Sequence, residues 1–340
     1  MKRKINFGLG IPTGTEGLMY PVPFAQARDN IKLSVRAEEL GFDSVWGNDH
    51  VHTQKYVASE FNQPPRYYAP LITLAAIAEN TKRIKVATAL LVIPFRHPVN
   101  IAKELTTLDH LTQGRLLVGV GIGAYREEFE AMTGKKAASV HRGRLLDECL
   151  EILTRIFSEY IVSHTGEYFE LDNLQSYPKP LQKPFPFYIG GNSPDGRRRT
   201  AQYGTGWLPA VLTAEEIAAA VEDIRKHCED FGKDFSQIDI APQLSVSIGK
   251  SNEDAVAKFK KSQLFKHMES LKKSTLKNQD VSLVSERNLV GSPDDLANQI
   301  QRYIDAGVTT FSALLFAVNT IEEMLESMQF FSEEVMRHFI

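Results

Sequence analysis

The stretch Ile84-Lys-Val-Ala-Thr-Ala-Leu-Leu-Val-Ile93 is almost wholly aliphatic or β-branched and stops at Pro94. It shows no alternation of polar and apolar residues. As a strand it must therefore be covered on both faces, which is the situation in a parallel sheet with helices packed outside. Its flanks agree: Pro70 to Glu79 upstream reads as an Ala-rich helix opened by proline in its first turn, and Pro98 to Leu111 downstream reads as the next helix.

The same alternation extends outward. Upstream lie a strand at Phe7 to Ile11, a helix at Phe24 to Leu40 with Gly41 just past its end, and a strand at Asp43 to Trp46. Downstream come a strand at Arg115 to Gly121 and a helix at Arg142 to Phe157, with Leu145, Leu146, Leu150 and Leu153 on one side. A hairpin arm at Thr165 to Leu171 and a connector stiffened by Pro178, Pro180, Pro184 and Pro186 interrupt the pattern. It resumes with strands at Phe187 to Ile189, Gly206 to Ala210, Ile238 to Ile248 and Thr310 to Phe316. Helices fall at Pro194 to Tyr203, Ala214 to Phe231, Glu253 to Ser262, Asp294 to Ala306 and Thr320 to Phe339. The polar stretch Lys266 to Ser285 fits none of these and reads as an insertion or a lid, placed at about residues 262–288.

Eight strands alternating with helices, and no flexible linker between them, predict an α/β fold: a single-domain (β/α)8 TIM barrel with insertions spanning residues 1–340. A pair of Rossmann-like halves would need Gly-x-Gly-x-x-Gly after the first strand and an acidic residue ~20 positions later. Gly8-Leu-Gly10-Ile-Pro12-Thr-Gly14 breaks that fingerprint by spacing and by Pro12, and Gly119-Val-Gly121-Ile-Gly123 fails the spacing.

With 39 basic and 42 acidic residues the net charge is −3, and the longest run of one sign is Arg197-Arg198-Arg199. Neither a nucleic-acid nor a membrane-surface partner is expected. Cys149 and Cys228 both fall in helices, so no disulfide framework or Cys-x-x-Cys pair is present and a reducing cytoplasm is expected. The N-terminal apolar stretch Ile5 to Ile11 is too short and polar for a signal peptide, and no segment approaches a span of ~20 apolar residues.

Barrel chemistry sits where strands end. The second strand exits into Trp46-Gly47-Asn48-Asp49-His50-Val51-His52. This cluster is either a site or a capped, solvated loop. A His50-x-His52 metal site would need ligands at other exits, and the fourth to seventh exits offer no Lys, His or Asp at the strand tip. No metal is expected. After the third strand, Arg96-His97-Pro98 is a charged pair at a helix start. Three glycines at alternate positions, Gly119, Gly121 and Gly123, strip one strand face of side chains and invite either a flat ligand or a close neighbour. At the fifth exit, Ile189-Gly190-Gly191-Asn192-Ser193-Pro194-Asp195 joins two glycines to a capped helix start, an arrangement that suits a phosphate and equally suits a well-capped turn.

These segments, together with Ala87-Thr88-Ala89-Leu90-Leu91-Val92-Ile93-Pro94, Leu108-Asp109, Gly114-Arg115-Leu116, Glu127-Glu128-Phe129, Arg142-Gly143-Arg144 and Val290-Gly291-Ser292-Pro293, resemble in order the bacterial-luciferase-like flavin or deazaflavin (F420) oxidoreductases. The resemblance covers nearly the whole chain. It implies a barrel that binds FMN, or alternatively F420, at its C-terminal mouth, with the phosphate near the fourth and fifth exits and a non-proline cis bond at Ala89–Leu90 behind the ring. On that reading Ala89, Leu90, Gly121, Gly123, Tyr125, Arg142, Gly190, Gly191, Asn192 and Ser193 would hold the cofactor. His50, tuned by Asp49, would be the catalytic acid or base.

Two departures stand out. Gly121 and Ile122 occupy the positions of the reactive cysteine and the phosphate-binding arginine of bacterial luciferase, so light emission does not carry over. Phosphate binding would rest on amides around Gly190 to Ser193 and on Arg142 or Arg144. The expected activity is a monooxygenase that uses reduced FMN, supplied by a separate reductase, and oxygen on a small organic substrate. F420-dependent hydride transfer and flavin binding without turnover are the alternatives. A homodimer is expected from the family.

Overall fold

The computed structural model describes residues 4–271 and 284–339. The first half of the chain runs β1 (Asn6–Ile11), α1 (Ala27–Glu39), β2 (Ser44–Gly47), α2 (Lys55–Glu60), α3 (Pro70–Asn80), β3 (Lys85–Val92), α4 (Pro98–Leu111), β4 (Leu116–Gly121), α5 (Arg126–Thr133) and α6 (Arg142–Ser158). An antiparallel hairpin of β5 (Val162–Thr165) and β6 (Glu170–Leu174) follows. Then come β7 (Phe187–Gly190), α7 (Pro194–Tyr203), β8 (Gly206–Leu208), α8 (Ala214–Asp230), β9 (Asp239–Ile240), β10 (Gln243–Ile248), α9 (Asn252–Lys261) and α10 (Gln263–Leu271). The chain closes with α11 (Val284–Arg287), β11 (Leu289–Gly291), α12 (Pro293–Asp305), β12 (Thr310–Phe316) and α13 (Ile321–Glu334). Part of the expected lid, residues 272–283, lies outside the described residues; α10 and α11 flank it.

Apart from the hairpin, the strands form one curled parallel sheet of ten, ordered β11-β10-β12-β1-β2-β3-β4-β7-β8-β9. Eight strands in a ring were expected. Two physical reasons account for the difference. The single strand read at Ile238 to Ile248 is divided into β9 and β10 at Ala241-Pro242, because proline has no N–H to give to a ladder. Hydrogen bonds cross this break on both sides: Ala241 N donates to Trp207 O (2.8 Å), Gln243 N to Pro209 O (2.9 Å) and Ser312 N to Pro242 O (3.1 Å). β9, at one end of the curled sheet, thus runs directly into β10, second from the other end, but no continuous ladder joins the two ends among the described residues. The second reason is β11, three residues too short to show a strand pattern.

The strands are covered on both faces, as the composition of β3 required. Val86 and Leu91 pack outward into the helix-facing core, whereas Ala87 and Ala89 face an inner cluster with Trp46, Leu117, Tyr188, Leu208, Ala241 and Ala313. Trp46 and Tyr188 meet edge to face at 5.5 Å within this inner cluster. Room for them comes from glycines: a Cβ on Gly8 would lie 2.3 Å from the Trp46 indole, and one on Gly206 would lie 2.3 Å from the Tyr188 ring.

The glycines of β4 have the same origin. The Ala89–Leu90 bond is cis, and the β3–β4 register shifts between Thr88 and Leu91. This bulge carries β3 toward β4. A Cβ on Gly119 would meet Thr88 O at 2.1 Å, one on Gly121 the Leu90 side chain at 2.6 Å, and one on Gly123 the Val92 side chain at 2.9 Å. Of the two sequence readings, the neighbour is the one observed at all three positions. A backbone oxygen cannot swing aside as a side chain can, so Gly119→Ala should cost more than the ~1–3 kcal/mol of ordinary overpacking. Gly121→Ala, facing a flexible leucine, should cost less; urea denaturation of the two variants against the parent measures the difference.

Candidate active site

The mouth at the carboxyl ends of the strands is assembled by buried polar side chains. Asn48, at the β2 exit, is clamped to the loop after β1: its Oδ1 accepts from Gly14 N (3.1 Å) and Thr13 Oγ1 (3.2 Å), and its Nδ2 donates to Gly14 O (3.2 Å). Glu16, in the same loop, accepts from the amides of Phe24, Ala25 and Arg66 and pairs with the Arg66 guanidinium at 3.0 Å.

The hydrogen bonds of Asp49 go to the β3 exit and not to His50. Its carboxylate is buried and holds the β3 exit, accepting from Val92 N (2.9 Å) and, in a two-pronged contact, from Arg96 Nη1 (2.6 Å) and Nη2 (3.0 Å). Arg96, one of the pair noted in the sequence, is thereby a brace between two strand exits. The partner of His50 is Glu128, from the first turn of α5, whose carboxylate oxygens lie 3.0 and 3.1 Å from Nδ1. Sequence reading placed Glu128 in a motif but gave it no role. No local signal marks it, because its burial is set by a partner 78 residues away in sequence.

A carboxylate can only accept, so Nδ1 of His50 carries the proton and Nε2 is left as the basic nitrogen. Burial alone would raise the Glu128 pKa. The bond from His50 and the amides of Val51 and His52 outweigh it, and the net shift is downward. His50 is half-buried between the rings of Tyr67 (5.6 Å) and Tyr125 (6.0 Å), while the His52 side chain is turned out to solvent. Among the described residues no group of three or more His, Cys, Asp or Glu side chains is placed to hold a metal.

The aromatic wall continues. Tyr125 Oη lies 3.3 Å from Tyr56 Oη, and Tyr56 Oη lies 2.9 Å from Nδ1 of His267 on α10. Tyr67 donates to Gln54 Oε1 at 2.8 Å. Burial, followed by the nearby Tyr56, pushes Tyr125 up, so it stays a protonated phenol. Burial, with His50 close by, lowers the His267 pKa to about 3 and keeps it neutral. Tyr125, expected to hold the cofactor, thus stands on the His50 side of the mouth.

The remaining expected residues lie at the β3, β4 and β7 exits. Ala89 lines a small cavity at the mouth with Thr15, Met19, Asn48 and Gln243. The Leu90 side chain fills the space in front of both Gly121 and Gly190, where a Cβ on Gly190 would also meet it at 2.5 Å, so the flat surface expected there is occupied. Asn192 turns its amide to the Ala210 backbone (2.9 and 3.1 Å), and Ser193 caps α7 through Gly196 N. Their side chains build the turn, leaving main-chain amides for a ligand. Gly191 has φ of +117° and open space where a Cβ would stand. Arg142, in the first turn of α6, donates to Gly123 O (2.8 Å), and no carboxylate pairs with it among the described residues. Burial and then Arg126 disfavour its charge. Arg144 is exposed and pairs with Glu167 at 3.3 Å.

This mouth belongs to a known class. A profile of the luciferase-like monooxygenase family matches residues 5–310, and the chain is a member of that family. It is 29% identical to an F420-dependent glucose-6-phosphate dehydrogenase of Amycolatopsis mediterranei, over 83% of this chain and 86% of that one. It is 25% identical to the alkanal monooxygenase alpha chain of Photorhabdus luminescens, over 90% of each. In fold it is similar to an F420-dependent secondary alcohol dehydrogenase, with a TM-score of 0.78, 20% identity and 98% of each chain covered.

Removing the cation from the buried Asp49–Arg96 pair leaves an uncompensated carboxylate, so Arg96→Met should lower stability by about 3–5 kcal/mol in urea titration. Glu128→Gln tests the other pair. Because the native Glu128 pKa lies below the ordinary 4.5, its contribution is full above that value and is lost as pH falls through the lowered one. The parent should therefore exceed Glu128→Gln in melting temperature at neutral pH, and the gap should close on acidification.

Proposed function

We propose that this protein is an oxidoreductase that binds a phosphate-bearing flavin-type cofactor at the strand-exit mouth, with His50 moving a proton to or from a small organic substrate beside it. The His50–Glu128 pair carries this reading: a half-buried imidazole whose tautomer is fixed by a buried carboxylate is an acid–base group, and surface solvation does not require one.

The residues fit such a cofactor. Arg142 is a half-buried cation bonded to main-chain carbonyls, which leaves donors for an anion. The Gly191 turn offers amides at the start of α7, with open space in front. When bound, reduced FMN would supply the electron pair of the redox step, or oxidised F420 would accept it as hydride. The chain supplies the rest. Arg142 and the α7 turn anchor the phosphate, the braced β2 and β3 exits fix the ring's seat, and Nε2 of His50 accepts or returns the substrate proton. Glu128 stabilises the imidazolium formed when Nε2 accepts it.

The first reading is an FMN monooxygenase fed by a separate reductase, with oxygen as co-substrate. A specific observation favours F420-dependent hydride transfer as the second: oxidation of an alcohol releases a hydroxyl proton, and the His50–Glu128 pair is built to take one.

Fluorescence titration with reduced FMN and with F420 decides the cofactor. Arg142→Ala should weaken binding of the preferred one roughly tenfold to a hundredfold, the range of a charge-assisted bond. His50→Ala should keep cofactor affinity and lose about 10²–10⁴ in turnover. Unchanged affinity in both Arg142→Ala and Gly191→Val would remove the phosphate assignment. Binding without oxygen uptake or hydride transfer would leave a flavin-binding protein without turnover.

A further inference from the structure

The proline-rich connector ends in Lys183-Pro184-Phe185-Pro186-Phe187 and leads into a second cavity, at the opposite end of β7 from the Gly191 turn. This cavity measures about 380 Å³. Its wall includes Phe157 of α6, Phe185 and Phe187 of the connector and the start of β7, and Tyr203, the last residue of α7. The two prolines restrict the backbone on either side of Phe185. Both connector phenylalanines pack on Phe157, with ring centroids 4.5 and 6.0 Å away, and lie 5.0 Å from each other. These buried rings give the cavity a fixed apolar floor, in the size range that holds a small organic molecule.

The charge around that floor has one sign. Lys183 and Lys233 line the cavity, and among the described residues no aspartate or glutamate does. Lys233 is placed by the end of α8: Gly232, with φ of +64°, makes the left-handed turn that closes the helix, and Lys233 N bonds back to Cys228 O at 2.8 Å. The ammonium then turns to Gly204 O, just past the end of α7, at 3.3 Å. That carbonyl takes one of its three donors. Among the described residues no carboxylate is paired with it, and burial lowers its pKa. A cation drawn partly out of water beside an apolar floor is complementary to an anion with an apolar body.

We propose that this cavity is a second ligand site, separate from the mouth, for an aryl carboxylate: the aromatic body lies on Phe157, Phe185 and Phe187, and the carboxylate meets Lys233 at the rim. Two elements join it to the mouth. β7 runs from Phe187 in the cavity to Gly190, and α7 runs from the Gly191 turn back to Tyr203 in the cavity wall. The site uses neither His50 nor Arg142, so its occupation does not depend on the function proposed above.

Isothermal titration calorimetry on the full chain, with 2-naphthoate and its neutral analogue 2-naphthamide as probes, tests it. The carboxylate should bind, and the amide should bind at least several-fold more weakly. Lys233→Met, which keeps an apolar stem, should weaken naphthoate roughly tenfold, the loss of one charge-assisted bond, and leave the amide unchanged. Thr154→Trp, which fills the cavity from an exposed position on α6, should abolish binding of both, with the melting temperature of each variant checking that it folds. No naphthoate binding, equal affinity in the parent and Lys233→Met, or tighter binding of the amide overturns the proposal. So does a loss in Arg142→Ala in place of Lys233→Met, which would put the carboxylate in the mouth. A parent that sediments as a dimer and becomes a monomer on Thr154→Trp would also overturn it, because the occupant would then be a second copy of this chain.

Discussion

The close approach of β3 to β4 is the constraint on which the mouth depends. Three β3 positions, Thr88, Leu90 and Val92, press toward β4, and the chain yields by placing glycine opposite each. With Cβ atoms there, β4 would have to move away, and the β4 exit carries Arg142's acceptor Gly123 and the first turn that holds Glu128. One steric agreement between two strands thus sets the relation between Arg142 at one end of the mouth and the His50–Glu128 pair at the other. The glycines are justified by packing before any ligand is considered.

Electrostatics then separates the braces from the groups left for chemistry. Asp49–Arg96 and Glu16–Arg66 each join a carboxylate with 1% of its side chain exposed to a guanidinium and to main-chain amides. Such pairs contribute little net stability over apolar substitutes, but they tolerate no loss of one partner, so they fix loops in one arrangement. Two groups at the mouth do not follow this pattern. Among the described residues Arg142 has only carbonyls, and His50 has a partner on one nitrogen. An unpaired desolvated cation and a half-satisfied imidazole are unfavourable in the protein alone and become favourable with a ligand, and perturbed or uncompensated groups in a cleft mark function on that ground.

What the sequence made legible follows from the range of the interactions. Strand and helix positions came from local periodicity, and β3 read correctly as buried on both faces because its composition alone demands it. The division at Pro242 was written in one residue, yet the read strand ran through it, since apolar content outweighed the missing N–H. The cis bond at Ala89–Leu90 came from family resemblance, not from any local signal. The site was legible as a set of exits but not as a set of pairs. Asp49 and His50 are adjacent in sequence, and adjacency suggested that one serves the other; on leaving a strand their side chains diverge, and each found a partner 47 or 78 residues away. His267 gave no signal, because a neutral buried histidine is defined by its surroundings and not by its type.

The two ends of the mouth are built from different material, and this bears on how one family accommodates different chemistry. The end proposed for the cofactor is made from strand exits and helix starts whose geometry the sheet enforces: the Gly191 turn, the first turn of α6 and the β3 bulge. The His50 end is made from loops and short helices, with Tyr56 on α2, Tyr67 in a connecting segment and His267 on α10. Changes in loops leave the sheet register untouched, so ring and charge content there can vary without moving the Gly191 turn or Arg142. A family whose members include an F420-dependent dehydrogenase and an alkanal monooxygenase is what that division of labour permits. In the described part of this chain's variable end stand tyrosines and histidines, and the guanidinium groups beside them, Arg66 and Arg96, are each paired with a buried carboxylate.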